Sequence, residues 1–187
     1  MTEFRRLPTL FWVLLYCVPL PAAETEDESR LTVDRLFASK QFDPEPYAAQ
    51  WLKDSSAYIS LEPSPDQSGA KEIVAHDPAS GDREVLVPAD QLVPSGESAP
   101  LTIEGYSFSD DRSLVLIYTN SKRVWRRNTR GDYWVLDRAG RELHQLGGDA
   151  KASTLMFAKL SPTGHHVAYV REKNIYLDDL RSHEIVQ

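Results

Sequence analysis

The chain has 187 residues, enough for one ordinary domain with a sizeable core. Its 21 basic and 28 acidic residues leave a formal net charge of -7, which argues against general nucleic-acid binding. The single cysteine, Cys17, excludes an internal disulfide, and its place in the amino-terminal apolar run removes redox and thiolate-metal chemistry from the rest of the chain.

Arg5 and Arg6 precede the apolar run Leu10 to Val18, which leads into Pro19-Leu20-Pro21-Ala22-Ala23. A charged start, a short apolar centre and small closing residues predict a secretory signal over 1–23, cleaved after Ala22 or Ala23. The chain is therefore expected to be exported, to a periplasm or the extracellular space. The alternative is an uncleaved segment that anchors the chain to a membrane. Residues 24–30 are acidic and read as a solvated spacer.

From Leu31 to Phe42 the apolar residues Leu31, Val33, Leu36, Phe37 and Phe42 keep nearly helical spacing, with Thr32 or Ser29 as cap. A short amphipathic helix is expected, stopped by Pro44 and Pro46. Strand and turn signals then alternate. Tyr58 to Leu61, Glu72 to His76 and Glu84 to Val87 are strands separated by the polar segment Glu62 to Gly69 and the turn cluster Asp77 to Asp82. Pro88 to Pro100 is a longer irregular connection.

The same grammar then starts again. Tyr106 to Phe108 enters a polar turn, Ser113 to Tyr118 is an apolar strand, Tyr133 to Leu136 is aromatic and β-branched, and Asp137 to Arg141 turns into Glu142 to Leu146. A third copy runs through Met156 to Leu160, the turn Ser161-Pro162-Thr163-Gly164, His166 to Val170, Asn174 to Leu177 and Glu184 to Val186. Trp51, Phe108 and Leu160 each precede a polar turn that leads into a strand at Ala57, Leu114 and Val167. A period of about fifty residues fits one four-stranded propeller blade. The fold class expected is all-β: a partial β-propeller of about three antiparallel blades over 31–187, preceded by the short helix and the signal segment.

Between two of these strands lies Thr119 to Asp132, with Trp125-Arg126-Arg127 at its centre. It reads as a polar connection, either a solvated hairpin loop or a binding loop in which an arginine presents its fixed fork of donors to a carbonyl or carboxylate.

The succession resembles the N-terminal propeller region of the dipeptidyl peptidase IV family, within the prolyl oligopeptidase class of serine peptidases. The residues that carry the resemblance are Tyr106-Ser107-Phe108-Ser109-Asp110-Asp111, Trp125-Arg126, Asp132 to Asp137, Leu160 to His165, Val167 to Val170 and Asn174 to Leu177. The resemblance implies a secreted peptidase that removes dipeptides carrying proline or alanine second. In it a propeller roofs the substrate chamber, and the arginine at Arg126 bonds a carbonyl of the bound peptide. The substrate implied is a peptide. Arg127 reads as a solvated surface arginine.

No Gly-x-Ser-x-Gly elbow occurs in this sequence, so the nucleophile of that class is not expected here, and the chain alone is expected to be inactive. No cofactor or metal is expected. His165 and His166 read as turn and strand-edge residues, and His76, His144 and His183 as isolated residues of the same kind. The tandem acids Asp110-Asp111 and Asp178-Asp179 read as turn residues that bond their own backbone. Two readings remain open. The chain is the leading part of an exported dipeptidyl peptidase that needs a C-terminal hydrolase chain, or it is a stand-alone secreted binding module that pairs with another chain or with itself.

Overall fold

The computed structural model describes residues 30–44 and 48–187. The signal segment and most of the acidic spacer lie outside the described residues. The chain divides into two units, Met1–Glu45 and Pro46–Gln187.

In the first unit Thr32 caps a helix, α1 (Val33–Phe37), its hydroxyl accepting the Arg35 amide at 3.2 Å. The helix is one turn and a little more, not the full stretch to Phe42. The Ser39 hydroxyl donates to the Arg35 carbonyl at 2.7 Å, a local bond that competes with further helical pairing.

Among the described residues of the second unit twelve strands form three four-stranded antiparallel sheets. The first holds β1 (Ala49–Trp51), β2 (Tyr58–Pro63), β3 (Lys71–His76) and β4 (Arg83–Val87). The second holds β5 (Gly105–Phe108), β6 (Leu114–Val124), β7 (Arg127–Asp137) and β8 (Glu142–Gln145). The third holds β9 (Met156–Leu160), β10 (His166–Arg171), β11 (Asn174–Asp179) and β12 (Ile185–Val186). Each sheet is a meander in sequence order, as a propeller blade requires. β1 is the strand that periodicity did not announce, because all three of its residues are exposed.

The repeat extends to register. Trp51 pairs with Tyr58, Phe108 with Val115 and Leu160 with Val167. In each turn the third residue before the second strand's partner takes a positive φ: 57° at Ser55, 60° at Arg112 and 71° at Gly164. In each, that residue's amide bonds back three positions, to the carbonyls of Leu52, Ser109 and Ser161. Only the third copy uses the glycine that such a conformation favours. The turns after the third strands repeat as well. Asp77, Asp137 and Asp179 each accept two backbone amides just ahead, at 2.7 to 3.3 Å. The Ser182 and Arg181 amides hold the Asp179 carboxyl down at about 2.

Two cores fill the seams. Between the first and second sheets Ile59, Ile73, Val87, Leu92, Val115, Ile117 and Leu136 form an apolar cluster. Leu116, Tyr133, Val135, Leu146, Leu155, Val167, Tyr169 and Tyr176 fill the second seam. Arg138 ties the first seam, its guanidinium donating to the carbonyls of Leu86 at 3.1 Å and Arg112 at 2.9 Å.

Candidate peptide-binding arm

β6 and β7 are each eleven residues long, about twice the length of most other strands. Their flanking partners stop early: β5 last pairs at Tyr118 and β8 first pairs at Trp134. Residues 119–132 therefore leave the second sheet as a two-stranded ribbon. Its pairs run Thr119 with Asp132, Lys122 with Arg130, Arg123 with Asn128 and Val124 with Arg127. Only Trp125 and Arg126 remain as the turn. The polar residues that read as a connection are thus mostly in a ladder, since backbone pairing carried outward from the apolar core needs no apolar alternation of its own.

A two-residue turn of this kind needs positive φ at its first residue, a place that favours glycine. Here it is Trp125, at 61° and 92% exposed. Holding a bulky residue there costs on the order of 1–3 kcal/mol. Arg126 follows, exposed, and among the described residues its guanidinium has no hydrogen bond or ion pair. The sequence-derived site residue therefore stands at the extremity of the arm, free to receive an acceptor.

The root of the arm is pinned. The Tyr118 hydroxyl lies between the carbonyls of Asn128 at 3.2 Å and Arg130 at 2.9 Å. Its ring lies over Gly131, where an added Cβ would come within 2.9 Å of Tyr118 Cζ and 2.8 Å of the Thr119 carbonyl. Glu104 accepts the Ser121 amide at 2.8 Å and also the Ser121 hydroxyl. Asn128 Nδ2 donates to that hydroxyl oxygen at 2.6 Å. Asp132 accepts from Asn120 Nδ2 at 2.7 Å and from the Ser153 amide at 2.6 Å. The Ser153 hydroxyl donates to the Asn120 carbonyl at 2.7 Å, and Gly131 bridges to Leu155. Sequence reading missed these bracing residues. The one signal for them was Gly131, a small residue between two charged ones at the edge of an aromatic run.

Three histidines are not isolated. His76 Nε2 meets both Glu62 Oε1 at 2.6 Å and Ser60 Oγ at 3.2 Å, and its ring stacks on Tyr58. A Ser-His-acid relay uses the two different ring nitrogens, so this trio cannot pass a proton from serine to acid. Arg83 closes it as an ion pair with Glu62 at 2.8 Å. The rings of His144 and His183 lie 4.3 Å apart, tilted by 40°. Beside them lies Asp178, which is 1% exposed. Only Asp179 of that tandem behaves as a turn residue. The Asp178 Oδ2 accepts the Gly147 amide at 3.4 Å, while its Oδ1 is buried without a partner. Burial pushes the Asp178 carboxyl up, and burial together with His183 pulls His144 down. Among the described residues no group of three or more His, Cys, Asp or Glu side chains is placed to hold a metal ion.

A cleft of about 330 Å³ opens between the turns of the first two sheets and is lined by residues including Trp51, Lys53, Asp54, Phe108, Asp110 and Arg112. Four of its five charged residues pair with one another, Lys53 with Asp110 and Arg112 with Asp54 at 3.6 Å, and no arm residue lines it.

Three successive four-stranded meanders, packed face to face through two seams and bearing one long ribbon, define a partial β-propeller with an arm on its second blade. Residues 109–187 match the family model described as the dipeptidyl peptidase IV (DPP IV) N-terminal region. Dipeptidyl aminopeptidase B of Saccharomyces cerevisiae is 32% identical over 93 residues, covering 50% of this chain and 10% of that protein. A probable dipeptidyl peptidase 4 of Aspergillus flavus is 28% identical over 160 residues, 85% of this chain and 20% of that protein. The crystal structure of Porphyromonas gingivalis dipeptidyl peptidase 4 superposes with a TM-score of 0.65 at 19% identity, over 82% of this chain and 21% of that one, and so shares the fold. The resemblance read from the sequence holds: the chain is similar to the N-terminal region of the dipeptidyl peptidase IV family. It spans about a tenth to a fifth of the length of these curated relatives.

Proposed function

We propose that this chain is the propeller part of an exported serine-type dipeptidyl peptidase, gating a substrate chamber and binding the amino-terminal end of a peptide. Arg126 would donate to a backbone carbonyl of that peptide. The observation that carries the reading is the arm itself: a pinned ribbon that ends in an exposed arginine without a partner. A guanidinium so placed keeps its donors for the ligand, and a charge-assisted bond to a desolvated carbonyl is worth about 1.5–3 kcal/mol. The names of the relatives support the substrate class, and Arg5, Arg6 and the run Leu10 to Val18 support export.

Hydrolysis would be supplied by residues outside this sequence, either on a longer polypeptide or on a partner hydrolase chain. Ile175 and Leu177 of β11, and Val186 of β12 opposite Leu177, lie exposed on one face of the third sheet, and a further sheet of that partner or of a second copy would cover them. The test is binding of a peptide with a free amino terminus and proline second, labelled at its carboxyl end, followed by anisotropy. Arg126→Ala should weaken binding by about 1.5–3 kcal/mol, roughly ten- to a hundredfold. Equal affinity of the two proteins would remove Arg126 from the site.

A further inference from the structure

Residues 122–130 hold five cations, Lys122, Arg123, Arg126, Arg127 and Arg130, with no acid among them, on a chain whose net charge is -7. All five are exposed, and none forms an ion pair among the described residues. Lys122 and Arg130 stand directly opposite in the ladder, an arrangement of like charges that destabilises a hairpin. Two acids stand at the arm's root, Glu104 and Asp132. Both are committed to neutral partners, Ser121, Asn120 and Ser153. Repulsion built into a ribbon, with these carboxylates turned to bracing it, leaves the compensating negative charge to come from outside.

We infer that the arm selects acidic peptides: the four cations around Arg126 would draw in and hold peptides bearing Asp or Glu side chains beyond the first two residues. This rests on the reading of Arg126 as the carbonyl donor and names the class of peptide it would serve. Uncompensated cations attract an oppositely charged ligand through long-range fields that salt suppresses, which gives the inference a distinct signature.

The experiment compares two rhodamine-labelled peptides with the same free Xaa-Pro start, one continuing in Asp and Glu, the other in Ser and Asn, both titrated with the full chain. The acidic peptide should bind at least about tenfold more tightly at 20 mM salt, and the advantage should largely vanish by 500 mM as screening lengths fall to a few ångströms. A variant with Lys122→Gln, Arg123→Gln, Arg127→Gln and Arg130→Gln should lose the preference while keeping its affinity for the neutral peptide. Arg127→Gln alone, at the end of the ladder, should lose part of it and serves if the fourfold variant does not fold. Equal binding of both peptides by the wild type, or an undiminished preference in the variants, would overturn the inference. So would equally tight, equally salt-sensitive binding of a single-stranded oligonucleotide or of anionic lipid vesicles, which would mark a general polyanion surface. A preference that depends on the four cations but ignores Arg126→Ala would sustain the acidic selectivity and remove the carbonyl-donor reading. A loss of affinity for both peptides in Arg126→Ala, with no acidic preference, would do the reverse.

Discussion

The two seams of this molecule repeat one geometry with different chemistry. The buried residues of the first are all aliphatic, with Ile73, Val87, Val115, Ile117 and Leu136 at 0% exposure. The second carries, on the same face of the third sheet as its apolar residues, Tyr169, Arg171, Tyr176 and Asp178, against Gly147 and the His144–His183 pair. Arg171 lies over the Tyr176 ring at 4.5 Å and donates to the Gly147 carbonyl at 3.1 Å. Tyr169 Oη, Arg171 Nε and Asp178 Oδ1 are nevertheless buried without partners. A shared blade template fixes where a seam lies, while the side chains on it decide whether its stability depends on pH.

Three substitutions probe that contrast. Ile117→Ala opens a cavity in the aliphatic seam and should cost about 2–5 kcal/mol in denaturant unfolding, with little change between pH 5 and 8. A loss under 1 kcal/mol would mean the first seam is loosely packed. Asp178→Asn keeps an oxygen for the Gly147 amide and removes a buried charge, so it should stabilise the chain at pH 7 by about 1 kcal/mol, read as a rise of roughly 2–4 °C in Tm. The sign follows from the raised carboxyl: its charged form is disfavoured in the fold, so the cost exists above the folded pKa and fades as pH falls towards 3.8. The gain of Asp178→Asn should fade over the same range. His144 works in the other direction, its lowered value making stability fall as pH drops below 6.5, and removing the Asp178 charge should deepen that fall. A Tm difference that does not vary with pH would place Asp178 outside this coupling. The smallest effect is expected of Tyr169→Phe, which deletes an unpartnered hydroxyl and should change stability by no more than about 1 kcal/mol, in the favourable direction. A clear loss would reveal a bonded hydroxyl.

Much of the blade plan was legible in the sequence. The turns after Trp51, Phe108 and Leu160 keep their spacing because a tight turn restricts which residues it accepts, and such restrictions survive in a single chain as a pattern. The arm was legible only at its tip. Trp125 and Arg126 fall in the turn, but the ladder on both sides follows from pairing that polar side chains do not advertise. Asp178 was read together with Asp179 because adjacent strand residues look alike in sequence, although alternate residues face opposite sides of a sheet. One therefore reaches the turn and the other the seam.

The brace through Ser153 has a mechanical consequence. Ser153 and Leu155 belong to the connection that leads into the third sheet, yet they grip Asn120, Gly131 and Asp132 at the root of the ribbon. The seam between the second and third blades is thus also the mounting of a lever. Any tilt of the third blade would swing the far end of that lever, so the reach of the Arg126 guanidinium would be set by how two blades lean on each other as well as by the turn that bears it.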